Sequence, residues 1–142
     1  MPHLVLQGEA DLEAFTVQLA PEVHRWRHAV LKLAQGWRRR DGRAVLVEAV
    51  AVERSRPLHP VLVISLQDQT TRIRLWPPVE VERTPAVQRL LALVASILQQ
   101  RHGAGPVTRT NLVPEALEGI VLVSAPESEA EPEAMNGEEQ GG

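Results

Sequence analysis

The run Ala44-Val-Leu-Val-Glu-Ala-Val-Ala-Val-Glu53, followed by Val61-Leu-Val-Ile-Ser-Leu66 and Arg72-Ile-Arg-Leu-Trp76, decides the fold class. All three segments are rich in β-branched residues and are separated by polar or proline-containing turns, so they read as consecutive antiparallel strands. The first two are apolar at odd and even positions alike, the pattern of strands with neighbours on both faces. The third alternates, with Ile73 and Leu75 on one side and Arg72, Arg74 and Trp76 on the other, which predicts one face open to water.

Upstream, Asp41-Gly42 is a two-residue hairpin signal, since both residues tolerate positive φ. Folding about it sets Trp37 opposite Leu46, Gln35 opposite Glu48, Leu33 opposite Val50 and Leu31 opposite Val52. The other side pairs Gly36 with Val47, Ala34 with Ala49 and Lys32 with Ala51, small residues on which a helix can lie closely. The pairing predicts a strand over 29–39, in competition with a helix over 22–35 that would align Val23, Trp26, Val30 and Leu33. Glu48, inside an apolar strand, is the carboxylate expected to be partly buried, with Gln35 or Lys32 to satisfy it.

Further out, 3–7 reads as a first strand closed by Gly8, and Asp11 caps a helix over 11–20 that buries Leu12, Phe15 and Leu19. Beyond the three strands, Pro77-Pro78 ends the sheet, and Thr84-Pro85 opens a helix over 85–102 as N-cap and first helical residue. Val87, Leu90, Leu91, Val94, Ile97 and Leu98 form its buried stripe, with Gln88, Gln99 and Arg101 outward and Gly103 as the stop. One helical turn over 114–118 and a short strand over 120–123 complete the reading. The fold class is therefore α+β: a mostly antiparallel sheet of four to five strands with two helices packed on one face, residues 1–124 forming a single domain. Residues 125–142, dominated by Pro, Glu, Ser and Gly, form an acidic C-terminal tail expected to be disordered.

Charge is segregated along the chain. The net charge is −3, yet all fourteen arginines and the one lysine, Lys32, precede residue 110, while six glutamates lie beyond residue 126. Residues 1–125 carry fifteen basic and twelve acidic side chains, a mildly basic balance short of a dedicated nucleic-acid binder. The absence of cysteine excludes disulfides, thiolate metal sites and cysteine catalysis, and fits a cytoplasmic location. No signal-peptide pattern and no apolar run long enough to span a bilayer is present.

Few residues carry a chemical motif. His24 and His28 have helical metal-ligand spacing, but Arg25 and Arg27 would oppose a dication, so no metal site is expected. Gly103-Ala-Gly105 follows a helix instead of joining a strand to one, which excludes a phosphate loop, and no cofactor motif is present. The cluster Trp37-Arg38-Arg39-Arg40-Asp41-Gly42-Arg43 sits at the expected hairpin tip, where arginines beside an aromatic can grip phosphates and stack on a base.

The opening Met1-Pro2-His3-Leu-Val-Leu resembles the tautomerase superfamily, in particular its 5-carboxymethyl-2-hydroxymuconate isomerase branch, in which a Pro-first strand precedes a helix and a second strand. The resemblance implies that Pro2, exposed by removal of Met1, acts as general base on an enol-type carboxylic acid bound by arginines. Without a catalytic set read from the residues themselves, the leading expectation is a non-enzymatic interaction or assembly module. Strands apolar on both faces need two covers, so a homodimer is expected to supply the second. The Pro2-dependent isomerase is the enzyme alternative. Nucleic-acid contact through Trp37, Arg38, Arg39, Arg40 and Arg43 is the third.

Overall fold

A computed structural model describes residues 1–126. Its strands are β1 (His3–Gln7), β2 (Glu22–Trp26), β3 (Ala29–Arg38), β4 (Ala44–Glu53), β5 (Arg56–Leu58), β6 (Val61–Gln67), β7 (Thr70–Leu75) and β8 (Val107–Thr110). Helix α1 (Leu12–Gln18) lies between β1 and β2, and α2 (Pro85–Arg101) between β7 and β8. Every strand joins one antiparallel sheet in the order β2-β3-β4-β6-β7-β1-β8, with β5 paired on β4. Both helices contact one side of it, α1 on β3 and β4, α2 on β1, β3, β4 and β7. From residue 127 onward the acidic tail lies outside the described residues.

The sheet has eight strands, not the expected four to five. Two of the additional strands, β2 and β5, hang on two-residue turns built without glycine. Arg27 (φ 56°) turns β2 into β3, and Arg54 and Ser55 (φ 51° and 66°) turn β4 into β5, leaving no Asn-Gly or Asp-Gly signal to read. Strand β2 also lacks an apolar stripe, because Glu22, His24 and Trp26 point one way and exposed Val23 the other. It replaces the helix weighed over 22–35. Strand β8 is short and pairs with β1, a contact between residues more than 100 positions apart that no local pattern announces.

The strand expected over 120–123 does not form. That segment runs along α2, whose side chains take the place of a sheet neighbour: Gln99 Nε2 donates to the Val123 carbonyl (2.8 Å), Gln99 Oε1 accepts from the Val123 amide (2.9 Å), and Ser96 Oγ donates to the Val121 carbonyl (2.9 Å). Contact with β8 is confined to Val107, whose amide donates to the Val123 carbonyl (2.8 Å) and whose carbonyl accepts from the Ala125 amide (2.8 Å), a single parallel bridge at Ser124.

The β3–β4 hairpin keeps its centre but changes its details. The turn has four residues, Arg40 to Arg43, closed by Arg39 N–H to the Ala44 carbonyl (2.8 Å), and only Gly42 takes positive φ (+76°). Being centred on the same point, it leaves Trp37 opposite Leu46 and Gln35 opposite Glu48, as expected. A β-bulge between Leu33 and Gln35 then shifts the register by one, so that Leu33 faces Ala49 and Leu31 faces Ala51. The reason is burial: the shift turns Leu31 and Leu33 onto the helix side with Val45, Val47, Ala49 and Ala51, where all six are buried. An unbroken pairing would have left both leucines on the open side.

Helix α2 starts as the sequence indicates, Thr84 Oγ1 accepting from the Val87 amide with Pro85 next. It is buried on two sides, by the sheet and by the segment after β8, so Gln88 is inside, not outward. Its Nε2 donates to the Arg83 carbonyl (3.1 Å) and its Oε1 accepts from the Val113 amide (2.9 Å). Gln88→Ala strands both partners and should cost about 1–3 kcal/mol in a urea titration. A loss below about 0.5 kcal/mol, ordinary for a surface residue, would contradict this placement.

Candidate functional site

Among the described residues, one side of the sheet carries both helices and the other carries none. Strand pairing assembles rows of side chains on this open face. One row runs Trp37, Leu46, Val63, Arg74, His3 across β3, β4, β6, β7 and β1. The next runs Ala44, Ser65, Arg72, Val5, Arg109, reaching β8. Trp37 and Arg74 stand three strand spacings apart, about 14 Å. Trp37 is 51 % exposed, whereas Val63 and Val5 are buried beneath their longer neighbours. A groove of about 390 Å³ lies between Trp37, Arg74 and Trp76, with Leu46 and Val63 along it. A second, of about 330 Å³, adjoins it through Ser65 and Arg74 and extends to Arg72 and Arg109.

The charge on this face is one-sided. Its strand residues include Arg25, Lys32, Arg72, Arg74 and Arg109, against the single carboxylate of Glu48. Glu48 is exposed opposite exposed Gln35, not partly buried as expected. Among the described residues, Arg72, Arg74 and Arg109 form no ion pair. Their neighbours across the strands (Ser65, Val63, Val5, His3) supply no counter-charge.

The hairpin-tip residues are differently placed. Arg43 donates to both carboxylate oxygens of Glu9 (3.0 and 2.9 Å), which holds that carboxyl below its ordinary range. Arg39 pairs with Asp41 (2.7 Å) and lowers its pKa in the same way, and Arg38 reaches Glu13 (3.6 Å). Arg40 is exposed. Of the tip cluster, Trp37 alone belongs to the row that reaches Arg74. Arg38 and Arg39 line the groove beside it, and the arginines further along the face come from β7 and β8; the alternation of Arg72, Arg74 and Trp76 was readable as a wet face, but its adjacency to Trp37 was not.

The third tryptophan, Trp26, is already engaged. The guanidinium groups of Arg27 and Arg89 lie 4.6 and 4.8 Å from its ring centroid, and its indole N–H donates to Glu118 (3.2 Å). Arg27 also pairs with Glu115 (2.7 Å) and Glu118 (3.1 Å), and this hydrogen bonding depresses the Glu118 pKa. The clasp fixes the β2–β3 turn to the 3-10 turn Pro114–Leu117.

Pro2 is buried immediately before β1. β1 and β2, which flank α1, stand near opposite ends of the sheet and do not pair. His24 lies in β2 beside Glu22 (3.2 Å), with His28 in the following turn, so the two do not share a helix face. Among the described residues, no group of three His, Asp or Glu could hold a metal ion, and no helix is long and apolar enough to cross a membrane. No protein-family model, curated protein or solved structure matches the chain.

Proposed function

We propose that the protein is a non-enzymatic interaction module whose working surface is the helix-free face of its sheet. The observation that carries this reading is the Trp37–Leu46–Val63–Arg74–His3 row: exposed indole, aliphatic floor and unpaired guanidinium on one continuous surface. Exposed aromatics and arginines are the side chains that dominate binding energy at interfaces. Arg72 and Arg74, two positions apart on one strand without a nearby carboxylate, repel each other in the free protein, and an anionic or aromatic partner would relieve that cost.

A second copy of the chain is the occupant expected from the sequence, and sedimentation over a range of concentrations measures it directly. Titration with heparin, a generic polyanion, followed by backbone amide shifts, measures the alternative. Shifts concentrated on β3, β4, β6, β7 and β1, in either experiment, are the expected result. Shifts on the α2 side, or spread evenly over all exposed arginines, would remove the open face from consideration. Assay of the Met1-processed chain on enol-type carboxylic acids is expected to show no turnover that Pro2→Ala abolishes.

A further inference from the structure

Resting on that reading, we propose that the open face binds single-stranded nucleic acid, its bases stacking on Trp37 and Trp76 and its phosphates meeting Arg72, Arg74 and Arg109. The chain has only three tryptophans, one phenylalanine and no tyrosine, and two of these four rings lie on the face that, among the described residues, no helix covers. Trp37 offers its ring to solvent, and Trp76 shares the groove with it. Base–aromatic stacking is tolerant of sequence, because every base has a π-face.

The rings and the arginines lie along one continuous path across the face. Trp76 directly follows β7, its amide donating to the Val61 carbonyl (2.8 Å), Arg74 and Arg72 lie before it on β7, and Arg109 stands beyond Val5 on β8. The two grooves meet at Ser65 and Arg74, so a chain crossing from β3 to β8 passes rings first and guanidinium groups after. With five basic residues against Glu48, the face complements a polyanion. The same charges oppose a second copy stacked face to face, since like-charge juxtaposition is costly. Duplex is the poorer fit: its bases are already stacked, and no helix projects from this face to enter a major groove.

The test is fluorescence anisotropy of the full-length chain with labelled oligo-dT, oligo-rU and a hairpin duplex over a range of salt. Single strands of either sugar should bind more tightly than duplex, and tighter than the roughly 10⁻⁴–10⁻⁶ M of non-specific association. Trp37→Ala should weaken binding roughly 5- to 150-fold, the measured range for loss of one stacked base, and Trp37→Phe should restore most of it. Replacing Arg72, Arg74 and Arg109 by Gln should lower the log–log salt slope by about 2, three phosphates at ~0.7 each. Replacing Arg54, Arg56 and Arg101 by Gln removes the same charge at the β4–β5 turn and on α2 and should change affinity far less. Equal losses from the two triple variants would reduce the effect to bulk charge and overturn both this inference and the open-face reading. Equal affinity for duplex, or no binding beyond the non-specific range, would overturn the inference alone; a dimer mapped to the same face would then leave the interaction reading standing.

Discussion

Phe15→Ala is expected to cost about 3–5 kcal/mol, the loss of a large, fully buried aromatic side chain. Helix α1 has seven residues, too few to be stable alone, and is held by an Asp11 cap on the Ala14 amide (3.0 Å) and by burial of Leu12 and Phe15. Phe15 is 1 % exposed, and its ring stands edge-on to His102 at 5.7 Å. His102 is itself buried, and its Nδ1 has no hydrogen-bond partner among the described residues. Burial, above all, pushes its pKa below the ordinary value, with Asp11 raising and Arg101 lowering it to lesser degrees.

The sign of the pH effect follows. Unfolded His102 titrates near 6.5 and the folded one lower, so within that window the unfolded state binds more protons. This contribution leaves stability level above about pH 6.5 and lowers it as pH falls through the window. Removing the Phe15 ring admits water to the imidazole, so Phe15→Ala should be less stable at neutral pH yet lose less of what remains on acidification. Denaturant titrations at about pH 7.5 and 5.5 measure both quantities. An unchanged acid loss in His102→Gln would show that the carboxylates, not this histidine, set the slope.

Gly105→Ala should cost about 3 kcal/mol, at the upper end of ordinary overpacking. A Cβ at this position would lie 2.8 Å from the Gln7 carbonyl oxygen and 3.1 Å from Gln7 Cβ. Gln7 has little freedom to retreat: it pairs with Thr70 of β7 on one side and, on the other, its carbonyl accepts from the Gly105 amide (2.7 Å). Relief of the clash therefore sacrifices backbone hydrogen bonds as well as packing. Gly103 makes the comparison. It takes φ +79° as the helix stop, but a Cβ there meets nothing within 4 Å, so Gly103→Ala should cost only about 1–2 kcal/mol in conformational strain. A thermal melt showing Gly103→Ala as the worse variant would rule out the Gln7 contact as the controlling feature.

Legibility divides by the range of the interaction that fixes each feature. The caps at Asp11 and Thr84, the stop at Gly103 and the alternation of β7 were all readable, because a few neighbouring residues determine them. The turns at Arg27 and at Arg54-Ser55 were not, since these residues adopt left-handed backbone only when the paired strands hold them there. Gln88 was misread for a related reason. Helical periodicity locates the stripe facing the sheet, but not a second cover supplied by residues 112 to 123.

For the candidate site, the local chemistry of the chain established that Trp37 lies in an arginine-rich hairpin and that Arg72, Arg74 and Trp76 share one side of a strand. Those facts rest on a period of two residues and on one glycine-containing turn, both local. Asp41 beside Arg39 is equally local, whereas tertiary structure alone decided that Glu9 and Glu13 neutralise Arg43 and Arg38, because both carboxylates come from the segment between β1 and β2. It alone decided, too, that β1 inserts between β7 and β8 and brings Arg109 into the row with Arg72. The bulge in β3 belongs to the same category: burial of Leu31 and Leu33 outweighed an unbroken ladder, and only the packed helices make that side the buried one.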